Sequence, residues 1–371
     1  MKKFSIQPEI VMMDTVKEFC ETYKIGAGDL LFVSNGTYSR YFDGLTNGAQ
    51  VINYRKYGTG EPTDLMVEGI YENIADKNYK RVIAVGGGTI LDVAKLFALK
   101  VTSPVVELYE GKIPAEKEKE LILVPTTCGT GSEVTNIAIL ELTTIHTKKG
   151  LAHEALFADE AVLIPELLKE LPFRFFATSS IDAFIHSVES YLSPKSSAFS
   201  KMYSRQAMKL ILEAYQIIAK EGEEARKPLL GDLLLASTYA GIAFGNAGCA
   251  AVHAMSYPLG AARHVPHGEA NYAMFAGVFK TYMSICPDGS IKELNEYLAD
   301  ILSCSIENVY DELEKLMNHL IPLKALHEYG VSEEDLDEYT DIVMTQQGRL
   351  MANNYVELDR ETVLETYKKL Y

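Results

Sequence analysis

Four short apolar runs divide the first half of the chain: Leu30-Leu-Phe-Val-Ser34, Arg81-Val-Ile-Ala-Val85, Leu121-Ile-Leu-Val124 and Ala161-Val-Leu-Ile164. They are near-continuous rather than alternating. A strand reads this way when both of its faces are buried, as in a parallel sheet covered by helices on both sides. Between the runs, stretches at 15–23, 64–75 and 89–99 carry apolar residues at helical spacing. Strand–helix alternation predicts right-handed βαβ units and a parallel sheet.

From about Thr178 the pattern changes. Met202, Met208, Ile211, Tyr215 and Ile218 recur three to seven residues apart, an apolar helical stripe. Similar stripes follow at 229–244, 291–302, 309–320, 333–343 and 360–370, with no run of alternating strands. The expectation is an α/β domain over 1–175 and an all-helical domain over 176–371, with the change near Leu171-Pro172. A length of 371 residues suits two domains.

Composition excludes several classes of function. Acidic residues outnumber basic ones 51 to 35, a formal net charge of −16, which disfavours nucleic acid and anionic membranes as partners. The longest apolar runs are too short to cross a bilayer, and no apolar stretch follows the first lysines as a signal peptide requires. Five widely spaced cysteines without Cys-x-x-Cys argue against a disulfide framework and for a reducing, cytoplasmic setting.

Two loops carry the first chemical signal. In Val85-Gly-Gly-Gly-Thr-Ile-Leu-Asp92 three glycines leave a strand and open a helix, where Thr89 is a candidate cap. Without Cβ atoms the backbone can approach a ligand closely, and a helix start favours phosphate. The bland alternative is a tight turn with no ligand. In Pro125-Thr-Thr-Cys-Gly-Thr-Gly-Ser-Glu133 hydroxyls and glycines crowd the C-terminal end of another strand. Open α/β sheets bind ligands at that edge, so two such loops can embrace one dinucleotide.

The second signal is a set of metal-ligating residue types. Asp182-Ala-Phe-Ile-His186 places a carboxylate and an imidazole on one helical face. His253 sits in a Gly/Ala-rich context and His267 in Pro266-His-Gly268. One carboxylate oxygen and three imidazole nitrogens suit Fe²⁺ or Zn²⁺. A buried histidine needs a partner, and a metal supplies one. His146, His153, His319 and His327 lack ligand spacing.

Together these segments resemble the iron-containing, group III, alcohol dehydrogenase family. The resemblance rests on Gly86-Gly-Gly-Thr-Ile-Leu-Asp-Val-Ala-Lys95, Pro125-Thr-Thr-Cys-Gly-Thr-Gly-Ser-Glu-Val134, Asp182-Ala-Phe-Ile-His186, His253-Ala-Met-Ser-Tyr-Pro-Leu-Gly260 and Pro266-His-Gly-Glu-Ala-Asn271. It implies a Rossmann-like dinucleotide-binding domain and an all-α metal domain, the architecture also found in dehydroquinate synthase. It implies NAD(H) and one divalent metal, Fe²⁺ with Zn²⁺ as the alternative. Asp182, His186, His253 and His267 are the implied metal ligands. The cofactor set is Gly86, Gly87, Gly88, Thr89 and Asp92 at the first loop, Thr126, Thr127 and Thr130 at the second, and Lys149. A homo-oligomer, a dimer by the resemblance, is also implied. Within the family the segment His264-Val-Pro-His-Gly-Glu-Ala-Asn-Tyr272 resembles the NAD-dependent subgroup acting on 4-hydroxybutyrate and succinate semialdehyde.

Two positions depart from the family pattern. Asn35 stands where NAD-preferring members place an aspartate, so nothing there repels a 2′-phosphate. Tyr257 stands where many members have a relay histidine, and a phenol of pKa about 10 is a poor base. His264 is the other relay candidate. A carboxylate substrate entering a dry site needs a cation, and Arg263 and Arg349 are the candidates. The alternatives are a general alcohol or diol dehydrogenase, a dehydroquinate synthase- or glycerol dehydrogenase-like enzyme, and a scaffold that binds metal or nucleotide without catalysis.

Overall fold

A computed structural model describes residues 3–58, 60, 62–143 and 147–371; His146 lies outside the described residues. The chain divides into an α/β unit, Ile6–Leu171, and a helical unit formed by 3–5 together with Pro172–Tyr371. The division falls between Leu171 and Pro172, where the sequence pattern changes, four residues before the 175/176 bound.

In the α/β unit the four apolar runs become β2 (Asp29–Val33), β4 (Arg81–Gly86), β5 (Glu120–Pro125) and β8 (Glu160–Leu163). The amphipathic stretches become α1 (Val16–Tyr23), α2 (Asp64–Asn73) and α3 (Gly88–Phe97). Two further strands complete the sheet, β1 (Glu9–Met12) and β3 (Gln50–Asn53). The order is β1-β8-β5-β4-β2-β3, with every pairing parallel. The strands that the apolar pattern missed are the two outermost. Each has one neighbour and largely exposed or half-buried side chains, so a continuous apolar run is not required of it. An antiparallel hairpin, β6 (Ile137–Leu142) with β7 (Thr147–Ala152), stands apart; on β6 buried and half-buried residues alternate.

The order places a switch point in the sheet. From β2 the chain moves outward to β3, then returns to β4 on the other side of β2 and continues to β5. Connections leaving β2 and β4 therefore diverge, opening a crevice at the strands' carboxyl ends. The register Val33↔Val85 and Gly86↔Pro125 puts Asn35, the glycine turn and the Thr/Gly loop at that one edge.

In the helical unit, α4 (Phe173–Leu192) is buried on almost all sides from Phe176 onward, the mark of a central helix. Around it pack α5 (Ala198–Glu221), α6 (Leu230–Ala247) and, beyond α7 (Ala251–Arg263), α8 (His267–Ile285). The remaining stripes become α9 (Ser290–Leu302), α10 (Val309–Asn318), α11 (Glu333–Gln346) and α12 (Arg360–Leu370). By length and composition, the segment Glu223–Ala247, which contains α6, would suffice to cross a membrane, contrary to the reading from apolar runs. Its apolar residues, Leu230, Leu233, Leu234 and Ile242 among them, are instead buried against α4 and α5. The segment 3–5 belongs to this unit: the Asn246 amide exchanges two hydrogen bonds with the Ser5 backbone, and Phe4 stacks on Phe199.

One buried charge holds the cofactor edge together. Lys95, on α3, is 0% exposed, and its ammonium donates to Asp92 Oδ1 (3.0 Å), Ser132 Oγ (2.8 Å), Thr135 Oγ1 (3.2 Å) and the Ile137 carbonyl (2.7 Å). Asp92 also accepts from Ser132 Oγ and from the Ile139 N–H. The pair thus joins the helix after the glycine turn to the second loop and to β6. Burial pushes the Lys95 ammonium down from its usual pKa, opposed by the carboxylate of Asp92. Lys95→Met removes these donors and leaves Asp92 with two of its three. Losing one member of a buried pair is costly, so a loss of about 3 kcal/mol is expected from urea unfolding. An unchanged midpoint would show that the pair adds nothing net.

Candidate functional site

The two glycine-bearing loops meet as the register requires. The Thr126 N–H donates to the Gly86 carbonyl at 3.0 Å. The helix begins at Gly88 with Gly87 as its cap residue and no side-chain cap bond, so Thr89 lies inside the helix and is not the cap. The three glycines have different reasons to be glycine. A Cβ at Gly86 would meet Cβ of Ile90 at 2.6 Å, and one at Gly88 would meet Thr130 Cγ2 at 2.7 Å. At Gly87 a Cβ would meet only Thr127 Cγ2, at an ordinary 3.4 Å. Internal packing therefore demands the first and third glycines but not the second. A cradle that a Cβ would narrow, at a helix start without a cap, fits a pyrophosphate.

The other cofactor candidates distribute unevenly. Asn35 is exposed just beyond β2, at the same sheet edge. Asp92 is committed to Lys95, Ser132 and Ile139, so its carboxylate supports the loops. Lys149 is exposed on β7 opposite Leu140.

The second cluster is built by three helices. Asp182 and His186 come from α4, His253 from α7 and His267 from the first residue of α8. One ligand atom from each lies within 4.8 Å of all the others. Asp182 is central: Oδ1 lies 3.6 Å from His253 Nε2 and 3.7 Å from His267 Nε2, and Oδ2 lies 3.9 Å from His186 Nδ1. The His186 ring stacks on Phe244 at 4.2 Å and on His253 at 4.7 Å, which fixes its plane.

Close approach of α8 to α4 depends on Gly268. A Cβ there would overlap the Thr178 carbonyl and lie 3.3 Å from Cβ of Asp182. Behind the cluster, Asn271 donates to Asp182 Oδ1 at 2.7 Å and accepts from Ser256 Oγ. The buried Glu189, on α4, accepts from His253 Nδ1 at 2.6 Å and from the N–H groups of Ala250 and Val252.

Charge is balanced around Asp182. Burial raises its carboxyl pKa, but the imidazoles of His186, His267 and His253 outweigh this and hold it below the usual carboxylate range. Burial lowers the His253 pKa, but Cys249, Glu189 and Asp182 more than reverse this and raise it well above the ordinary value. The cluster is a well for positive charge. His253 Nε2 is buried without a hydrogen-bond partner and is aimed into it. That orphaned nitrogen, with one carboxylate and two more imidazoles, fits a divalent ion. His267 is 36% exposed while Asp182 and His253 are 3% exposed, so the open side lies at His267. A metal site that performs catalysis needs such an opening.

The relay and substrate candidates separate. The Tyr257 ring lies 5.9 Å from that of His267. Burial raises its phenol pKa, with His253 and Arg349 pulling the other way. His264 ends α7 in the left-handed conformation, φ 54°, and is exposed with no bond to the cluster. Arg263 is engaged by Asp335 at 2.6 Å. Arg349 is exposed, and its guanidinium makes no hydrogen bond or ion pair with any described residue, although its field reaches Tyr257.

The sequence reading missed Glu189, Asn271 and Gly268. Glu189 had a signal: Asp182, His186 and Glu189 are spaced four and three apart, on one helical face. Gly268 had none, because its role is an approach between helices distant in sequence.

Residues 13–165 match the family described as iron-containing alcohol dehydrogenase, and residues 176–371 match the Fe-containing alcohol dehydrogenase family, C-terminal. The chain is 47% identical over 371 residues to the 4-hydroxybutyrate dehydrogenase of Clostridium kluyveri, covering 100% of each chain. It is 33% identical over 313 residues to long-chain-alcohol dehydrogenase 1 of Geobacillus thermodenitrificans, covering 80% of this chain and 76% of that one. Sulfoacetaldehyde reductase from Bifidobacterium kashiwanohense, solved in complex with NAD+, shares the fold with a TM-score of 0.85 at 22% identity, covering 100% of this chain and 98% of that one.

Gly268→Ala tests the geometry directly. The added methyl must push α8 away from Thr178 and carry His267 with it. The variant is expected to keep its helical circular dichroism and to lose bound divalent metal, read by elemental analysis after dialysis. A full complement of metal in the variant would disprove the close-approach argument.

Proposed function

Because the chain belongs to the iron-containing alcohol dehydrogenase family, we propose that it interconverts 4-hydroxybutyrate and succinate semialdehyde with NAD(H). The observation that carries this reading is the 47% identity, end to end, with the 4-hydroxybutyrate dehydrogenase of Clostridium kluyveri. Arg349 supports it, as a guanidinium with no hydrogen bond or ion pair to any described residue and with a field that reaches Tyr257 beside the histidine cluster.

Asp182, His186, His253 and His267 would hold one divalent ion, iron by family, with Zn²⁺ competing according to availability. Such an ion supplies Lewis acidity, lowering the pKa of an alcohol and polarising a carbonyl. The protein supplies the rest. Asn271 orients Asp182, and the ring stack orients His186. Arg349 holds the far carboxylate by charge-assisted hydrogen bonds, so that the other end of a four-carbon chain is presented for reaction. Tyr257 stays a protonated phenol, a donor and not a base. His264 stands outside the cluster, so the reaction's proton exchanges with solvent through the open side at His267.

NAD(H) is assigned to the glycine turn and the Thr/Gly loop of the α/β unit. Asn35 can hydrogen-bond a ribose hydroxyl but has no charge to repel a 2′-phosphate, so the preference over NADP(H) is moderate. The reading includes a homo-oligomer in the cytoplasm, the latter supported by five free thiols.

Two measurements test this function. Wild type is expected to reduce succinate semialdehyde far better than butyraldehyde, which has the same carbon count and no charge. Arg349→Ala should lower kcat/KM for the semialdehyde roughly thirtyfold, the equivalent of about 2 kcal/mol for hydrogen bonds to a charged group, and leave butyraldehyde unchanged. Arg263→Ala should keep the discrimination, because its guanidinium is already used. If wild type treats both aldehydes alike, it is a general alcohol dehydrogenase. For the cofactor, Gly87→Ala should fold normally, as the space for a Cβ beside Gly87 permits, and lose NADH affinity by calorimetry. Unchanged affinity would remove the pyrophosphate from this turn.

A further inference from the structure

A fully buried carboxylate with no part in the donor set calls for a reason. Glu189 lies on α4, one turn beyond His186 and on the same face as both helix-borne ligands. Its two oxygens take three N–H groups. Oε2 accepts from the Ala250 N–H at 3.0 Å and from His253 Nδ1 at 2.6 Å, and Oε1 accepts from the Val252 N–H at 2.7 Å. Each of these donors is itself buried.

We infer that Glu189 is a positioning residue that starts α7 and sets the tautomer of His253, so that one carboxylate couples the folding of this helix to the metal-binding state of its imidazole. Two independent features carry the inference. The first is the helix start. Ala250, the cap residue of α7, has no side chain able to cap, and the preceding Gly248-Cys249 offers none in its place. The first N–H groups of a helix need acceptors, and an anion there also meets the positive end of the dipole. Glu189 supplies both from another helix.

The second feature is the imidazole. A carboxylate only accepts hydrogen bonds, so the proton of a neutral His253 must sit on Nδ1. Nε2 is then left with its lone pair, and it is this atom that is buried without a partner and faces Asp182 at 3.6 Å. A carboxylate behind a ligating histidine fixes ring and tautomer together. The ring is held in plane on its other side by His186, at 4.7 Å and 20°. The same geometry argues against a second metal site at Glu189, Cys249 and His253, whose ligand atoms also gather within 4.8 Å. The carboxylate is spent on three N–H groups, and the nitrogen it faces carries a proton.

Glutamine at 189 breaks this arrangement with almost no change in volume. An amide has one oxygen for three donors. Turned one way, its NH2 confronts the Val252 N–H. Turned the other, it confronts the Ala250 N–H and donates to His253 Nδ1, which moves the imidazole proton onto Nε2 and blocks the ligating atom.

The inference rests on the reading of His253 as a ligand, and the experiment separates the two. Zn²⁺ affinity is measured by chelator competition on cofactor-free enzyme for wild type, Glu189→Gln, Glu189→Asp and His253→Ala, with helicity followed by circular dichroism. Glu189→Gln is expected to stay folded and bind Zn²⁺ about 10- to 100-fold more weakly. Glu189→Asp, still acceptor-only but shorter, should fall between it and wild type. Nitrogen-15 spectra of histidine-labelled, metal-free enzyme, recorded at a pH high enough for His253 to be neutral, should show its proton on Nδ1 in wild type and an added Nε2–H population in the Gln variant, a change that a cap role alone does not produce. Wild-type Zn²⁺ affinity in folded Glu189→Gln, or a neutral wild-type His253 that carries its proton on Nε2, overturns the inference. Full Zn²⁺ binding in His253→Ala overturns the ligand reading instead. Should Glu189→Gln not fold, the Asp variant decides: weakened Zn²⁺ binding in a folded protein sustains the inference, and wild-type binding overturns it.

Discussion

Asp182 sits almost fully buried on the central helix of its unit, and a buried carboxylate without compensation is costly enough that a protein normally protonates it or pairs it. Here three imidazoles and one amide surround it, brought by α4, α7 and α8. The paths of those helices answer to that requirement. Gly268 lets α8 touch α4, Pro266 precedes its first turn, and Glu189 gives α7 its start. The arrangement leaves Nε2 of His253 without a hydrogen-bond partner among the described residues, and under the proposed function an incoming cation would meet the four donor residues already gathered. Preorganisation of this kind moves the energetic cost of assembling a site into folding.

The α/β unit solves a different problem with similar means. Its crevice exists because the sheet order reverses between β2 and β4, and the loops there must stay apart in a defined way. Gly86 and Gly88 are glycines for packing, against Ile90 and Thr130, and this packing sets the turn's shape. The buried ammonium of Lys95 then fastens the helix that follows to the second loop through Asp92, Ser132 and Thr135. Gly87 alone is left with room beside it.

Both units therefore use a carboxylate as internal support and not as a reagent. Asp92 is committed to Lys95, Ser132 and Ile139, and Glu189 to a helix start and an imidazole. Arg263 follows the same logic with Asp335. Arg349 makes no such pair with any described residue, which separates it from Arg263, the other candidate substrate anchor. The replacement of a relay histidine by Tyr257 is consistent with this division. Beside the cluster stands a phenol whose pKa burial raises, and the exposed side of the cluster is at His267.

Much of this architecture is local and was therefore readable from the chain. Strands buried on both faces must be apolar throughout, so β2, β4, β5 and β8 declared themselves, as did the helices with apolar stripes. Asp182 and His186 were readable as a pair because four residues make about one helical turn. Residue chemistry also singled out the glycine turn, the Thr/Gly loop, His253 and His267. What is not local was not readable. The outer strand β3 has only Val51-Ile52 as an apolar run, and β1 and β6 carry short runs, Ile10-Val-Met-Met13 and Ile137-Ala-Ile-Leu140, that the reading passed over and whose side chains are largely exposed on β1 and alternately buried on β6. The choice between Arg263 and Arg349 turned on Asp335, 72 residues from the first. The demand for glycine at 268 arises from a carbonyl 90 residues away, on another helix, and the duty of Glu189 from N–H groups about 60 residues beyond it. Sequence patterns report periodicity along one element, whereas close approach and hydrogen-bond acceptance between elements are properties of the packed chain.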